Sequence, residues 1–224
     1  MTLHTGFANG RRRAPVPTFL GTAPKKTATA SSFTFSAQSL GQTIQEGSLL
    51  VLAVTSEAPS ANRNFNGCTV DGNAATQVVA SPNGHTLVAI YQYVVPAGGL
   101  SAPTIVLSTN GSGGGCTMEM FNIVGLNSNT PIDTFVNSSV VSSSPTDPLA
   151  TTDGAAAIAV ALNNVSGSAT WTGLDEVSDY TTAVIGGHTA TAAMRGGLSA
   201  GTQTVSVAFA ASTSQARMAA ASWR

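Results

Sequence analysis

The sequence predicts an all-β protein: a jelly-roll-like antiparallel β-sandwich with an internal repeat of its strand series and an extended N-terminal arm. Three observations carry this. Short runs rich in Val, Ile, Thr, Phe and Tyr alternate with clusters of Gly, Pro, Asn and Ser. Turn signatures, Asp71-Gly72-Asn73 and Pro82-Asn83-Gly84, fall between such runs. Two blocks of sequence also recur: Gly47-Ser48-Leu49-Leu50-Val51-Leu52-Ala53-Val54 resembles Gly154-Ala155-Ala156-Ala157-Ile158-Ala159-Val160-Ala161, and Gly98-Gly99-Leu100-Ser101-Ala102 returns as Gly196-Gly197-Leu198-Ser199-Ala200.

Residues 1–30 read as the arm. Arg11, Arg12, Arg13, Lys25 and Lys26 supply five of the nine basic residues, and Pro15, Pro17 and Pro24 deny the segment a regular element of its own. Val16, Phe19 and Leu20 are of use in an extended segment only when buried on something. The arm, with Arg11, Arg12, Arg13, Val16, Phe19 and Leu20 as its contacts, is therefore expected to lie along another subunit. Two prolines interrupt the apolar stretch after Arg13, so a secretory leader is not expected, nor is a membrane helix, since no segment approaches ~20 apolar residues.

From residue 31 to 224 the pattern predicts one sandwich. Strands are expected at 33–37, 49–55, 68–70, 76–80, 85–95, 104–108, 116–124 and 133–137, then at 155–162, 170–172, 181–185, 189–194, 202–209 and 215–223. The Ala-rich run near 155–162 favours helix by propensity, but Ile158, Val160 and Leu162 alternate as a strand does. Gly111 to Gly115 reads as a flexible connection, since no helix and no Gly-Lys-Ser/Thr ending follow as a phosphate loop requires. The repeat divides the sandwich into halves at about 45–136 and 154–224, joined by a Ser/Thr/Pro-rich linker, 137–153, with His85-Thr86 and His188-Thr189 as matching landmarks. Two architectures fit: tandem sandwiches, or one intertwined sandwich whose halves feed both sheets. The second is favoured because each half has few large side chains and makes a thin core alone.

Composition bounds the function. Only 8% of the 224 residues are charged, and the net charge is −1, which excludes the cationic footprint of general nucleic-acid binding. Ten carboxylates and three histidines are scattered, without a nucleophile elbow or a His-Glu-x-x-His helix, so no catalytic residues, cofactor or metal are expected. Cys68 and Cys116 read as buried free thiols. Asp175, Glu176 and Asp179 read as a solvated loop. Within it, Trp171, Asp175 and Tyr180 are the candidate glycan contacts, an aromatic ring for stacking beside a hydroxyl acceptor; the alternative for Trp171 is a core anchor.

The segments Glu46-Gly47-Ser48-Leu49-Leu50-Val51-Leu52-Ala53-Val54, Thr69-Val70-Asp71-Gly72-Asn73-Ala74-Ala75-Thr76, Val88-Ala89-Ile90-Tyr91-Gln92-Tyr93-Val94-Val95-Pro96-Ala97-Gly98 and Phe121-Asn122-Ile123-Val124-Gly125 resemble β-sandwich virion accessory proteins of tailed bacteriophages, of the decoration, head-fibre or tail-fibre type. The resemblance runs over residues 45–224 as a strand pattern. It implies a structural, non-enzymatic component of a virion, assembled in the host cytoplasm and anchored to capsid, portal-vertex or tail proteins. It further implies a homo-oligomer that displays its sandwich outward as a cement protein or fibre knob, with a host-surface glycan as a further partner. Insertion into a membrane and specific binding to nucleic acid are not expected. The alternative function is a stand-alone carbohydrate-binding module or lectin-like adhesin.

Overall fold

Strands β3 (Leu49–Glu57), β12 (Ala155–Asn163) and β17 (Ala216–Trp223) are buried at every residue. A strand covered on one face alternates in sequence; one covered on both faces reads as an unbroken apolar run. This double covering sets the architecture seen in the computed structural model, which describes residues 14–57, 62–137, 143–182, 187–211 and 215–224.

The first half of the chain adds β1 (Val16–Thr22), β2 (Ala30–Phe35), β4 (Phe65–Val70), β5 (Asn73–Ala74), β6 (Thr76–Ala80), β7 (Thr86–Val94), β8 (Ile105–Gly113) and β9 (Gly115–Val124). The second half adds β10 (Asp133–Asn137), β11 (Thr146–Thr151), β13 (Ala169–Thr172), β14 (Asp175–Thr182), β15 (His188–Leu198) and β16 (Gly201–Phe209). One sheet runs β1-β9-β3-β7-β6 and its counterpart runs β10-β17-β12-β15-β14; the other two run β2-β8-β4-β5 and β11-β16-β13. The repeat is thus complete strand for strand except for β5. All strand pairings are antiparallel, and among the described residues each stays within its own half.

Four sheets stack as outer, inner, inner, outer. Phe33, Phe35, Ile105 and Leu107 of the first outer sheet pack on Leu50, Leu52, Tyr91 and Met118 of the first inner sheet. The opposite faces of both inner sheets meet at a central seam, where Leu49, Val51, Phe121 and Ile123 lie against Ala192, Ala219, Ala221 and Trp223. Large and small side chains come from both halves, with Ile158, Val160, Leu162 and Trp223 of the second among the large ones, which lets the two sheets interdigitate closely. The last layer sets Ala157, Ala159 and Met218 against Leu149, Val205 and Val207. At roughly 1.5–3 kcal/mol for each large side chain removed from water, the seam is a core in its own right. Across it Trp223 Nε1–H donates to Gln92 Oε1 (3.0 Å), and Gln92 Nε2–H donates to the Asn129 carbonyl in the connection between halves (2.8 Å).

Four expectations are corrected. The halves are not intertwined: they are two sandwiches placed back to back, and the thin core of each is remedied by stacking. Asp133–Asn137 opens the second half, because it pairs with β17. The segment 137–153 is more than a linker, since it contains β11, an edge strand that tolerates Pro148 and buries Leu149. Residues 16–30 belong to the sandwich and do not form a detached arm: β1 pairs with β9 along its whole length.

Candidate functional site

The arm residues divide. Arg11, Arg12 and Arg13 lie outside the described residues. Phe19 rests on Phe121 with ring centroids 5.4 Å apart, and Leu20 packs into the first core; the partner that buries them is the chain's own inner sheet. Val16 is 52% exposed at the start of β1.

The glycan residues divide as well. Trp171 is buried between the second inner and outer sheets, and its indole N–H donates to Thr191 Oγ1 (2.8 Å), whose hydroxyl donates to the Ser178 carbonyl (2.7 Å). A ring held inside the core cannot stack on a sugar, so the stacking platform is withdrawn. Alternation in Ala169-Thr170-Trp171-Thr172 turns the indole inward and both threonines outward. Asp175 stands exposed on β14 and takes a two-pronged bond from Arg195 Nη2 (2.8 Å) and Nε (3.1 Å). This bond holds the Asp175 carboxyl below the usual range. Asp175 and Glu176 therefore begin a strand in place of the expected loop. Tyr180 falls on the same strand, with its side chain outside the described residues.

The buried polar groups gather where the two sandwiches meet. On β9, alternation places Thr117 and Glu119 on the same face as Phe121 and Ile123, toward the seam. Thr117 Oγ1 lies 2.6 Å from Thr55 Oγ1. Glu119 is wholly buried with both carboxylate oxygens unpartnered; burial pushes its carboxyl up to about 8, which keeps it neutral at pH 7. Its register counterpart on β17 is Ala219. Glu57, at the end of β3, comes within 3.0 Å of His188 Nδ1 at the start of β15, and both side chains are largely buried. The approach is close, but Nδ1 makes no hydrogen bond in it. The contact spans the two sheets from inside the seam.

The histidine landmarks do not correspond. Gly47 and Gly154 both turn with positive φ (75° and 78°) and align the halves. Ser56 then matches Asn163, and their partners Leu87 and Thr189 match in turn. His188 is therefore the counterpart of Thr86. An offset of one residue reverses the face of a strand: His85 is exposed, whereas His188 points into the seam.

Arg217, the second residue of β17, reaches across the seam to the β6–β7 turn. Its Nη1–H donates to the Pro82 carbonyl and its Nη2–H to the Asn83 carbonyl (3.4 Å). The guanidinium lies flat on Gly84, where any Cβ would collide with it. Gly84 is thus required by the close approach of a side chain, beyond its part in the turn. Sequence reasoning passed over Glu119 and Arg217. The signal was present, since each is a charge set inside an otherwise apolar strand, Met118-Glu119-Met120 and Ala216-Arg217-Met218.

Among the described residues, no three His, Cys, Asp or Glu side chains come together as a metal site. The chain matches no family model and no curated protein.

Proposed function

We propose that the protein is a structural component of a phage virion, anchored to capsid or tail proteins through its N-terminal residues and displaying the double sandwich outward as a cement protein or fibre knob. One observation supports an assembly role above others. Among the described residues, the outward positions of both outer sheets carry no charge: Ser32, Thr34 and Asn110 on one side, Thr146, Thr170 and Thr204 on the other. Depletion of charge marks the core of protein contact surfaces, and here two such faces stand on opposite sides of one rigid block. The strand order in each half is first-eighth-third-sixth-fifth in the inner sheet and second-seventh-fourth in the outer; the run first-eighth-third-sixth is like that of the double Greek key of capsid and lectin domains, and the fifth strand, paired with the sixth in the inner sheet, departs from it. That likeness is at the level of fold alone.

With residues 16–30 built into the first sandwich, the anchor narrows to the segment that includes Arg11, Arg12 and Arg13. The test is deletion of residues 1–13 in an infecting phage. Mass spectrometry of purified particles is expected to find the full chain and to miss the truncated one, while circular dichroism of the truncated protein stays unchanged. A full chain that is absent from particles and found only as a free monomer overturns the reading.

A further inference from the structure

The central seam is sorted along its length. At the end where the chain crosses between halves through residues 125–132, its faces meet through Leu49, Phe121, Ile123, Ile158 and Trp223. The opposite end, where β3 finishes and β7, β9, β15 and β17 begin, is polar. Strand alternation turns Glu57, Thr86 and Glu119 of the first half toward His188 and Arg217 of the second. Register fixes this order: Leu49 pairs with Ile123 but Glu57 with Gly115, and Ala156 pairs with Trp223 but Leu162 with Arg217.

Burial at the polar end is poorly compensated. Both oxygens of Glu119, Thr86 Oγ1, His188 Nδ1 and Arg217 Nε lack a hydrogen-bond partner, and each such group is better solvated by water than by the seam. Parting the seam there would hydrate them and uncover little more than Val88, Leu162 and Ala190. Parting it at the other end would expose Trp223, Phe121 and Leu49. No strand pairing need break, since each lies within one half. What closes the polar end is the reach of Arg217 to the Pro82 and Asn83 carbonyls and the approach of His188 to Glu57.

We infer that the two sandwiches part transiently from the polar end as rigid bodies, pivoting about the apolar end and its connection, with Arg217 as the latch. The motion is coupled to protons through Glu119. Glu57 of β3, His188 of β15 and Arg217 of β17 are the other ionisable side chains turned to this end, β7 and β12 bring none, and Tyr180 of β14 pairs with Ala190 beside it. Burial holds the Glu119 carboxyl up at about 8, and water admitted by opening returns it toward its ordinary value. Opening therefore releases a proton and is favoured as pH rises, up to about pH 8. The inference stands independently of the virion reading.

The test places a cysteine at each end of the seam in the full chain: Ala190→Cys, paired with Leu162, and Ala221→Cys, paired with Ile158. Labelling by an aromatic disulfide reagent is followed under native conditions, each rate taken relative to the same variant unfolded in guanidinium at the same pH, which removes the effect of thiolate formation. Cys68 and Cys116 face the first core and serve as internal controls for global unfolding. Ala190→Cys is expected to label roughly tenfold or more faster than Ala221→Cys while both controls stay protected. Adding Arg217→Met should speed labelling of Ala190→Cys. Moving from pH 7 to pH 9 should speed it by about tenfold, and Glu119→Gln should remove that rise. Equal rates at the two positions, labelling of Ala190→Cys only in step with Cys68, or an unchanged rate with Arg217→Met overturns the inference. A pH rise that persists in Glu119→Gln overturns its coupling to protons.

Discussion

Glu57 Oε1 and His188 Nδ1, one from each half of the chain, lie 3.0 Å apart inside the seam between the two sandwiches. Both side chains are largely buried, so His188→Ala removes packing together with the contact and is expected to cost roughly 1–3 kcal/mol. A double-mutant cycle with Glu57→Ala should return a coupling of about 1–3 kcal/mol in urea unfolding. Asp175 and Arg195 supply the contrast. Their geometry is better, yet both are exposed, and the same cycle on that pair should return a coupling near zero that vanishes in salt.

Glu119 makes stability fall as pH rises. Its carboxyl titrates near 4.5 when unfolded and is pushed up to about 8 in the fold, so between those values the folded state holds the extra proton. The contribution is intact below pH 4.5, is lost progressively toward pH 8, and amounts to on the order of 5 kcal/mol. Glu119→Gln should remove this slope, and Glu119→Met should unfold at higher urea than the parent at pH 8. Equal slopes in parent and Glu119→Gln would remove Glu119 as the cause.

Cys68 and Cys116 both face the first core as free thiols. Burial pushes the Cys68 thiol up to about 12 and Cys116 well above its ordinary value, so neither forms the reactive thiolate near neutral pH. An aromatic disulfide reagent at pH 8 should label neither in the native protein and both in guanidinium. A reducing agent should leave the melting temperature where it was.

Truncation should show a sharp boundary within the first 22 residues. Loss of residues 1–13 leaves β1 and is expected to leave the melting temperature unchanged. Loss of residues 1–22 removes the strand that pairs with β9 and takes Phe19 from Phe121. That change should cost at least ~3 kcal/mol, the scale of an aromatic deleted from a core.

Much of this fold is written in local pattern, and the errors have identifiable causes. The alternation of apolar runs with Gly, Asn and Pro marks most strands, and the Gly47 and Gly154 blocks mark the repeat, because both depend on a few adjacent residues. What local pattern does not carry is which surface covers a strand. Leu49 to Val54 is apolar at every position, which signals cover on both faces and hence more than two layers. β1 was hidden because Pro15 and Pro17 bracket Val16, and an edge strand accepts prolines that a central one rejects. Trp171 was legible from its threonine neighbours. The seam groups Glu57, Glu119, His188 and Arg217 come from strands far apart in the chain, and no spacing in the sequence announces their meeting.

The two inner faces are complementary, and a chain ending at Val124 would leave one of them bare. As separate molecules, such halves would associate only above some threshold concentration and would part on dilution. Joined by a connection that the Arg224 carbonyl holds through Asn127 N–H and Ser128 N–H, they meet at an effective concentration on the order of millimolar, whatever the amount in solution. The protein is in this sense a dimer that cannot be diluted apart, and a single copy keeps its whole core at any concentration.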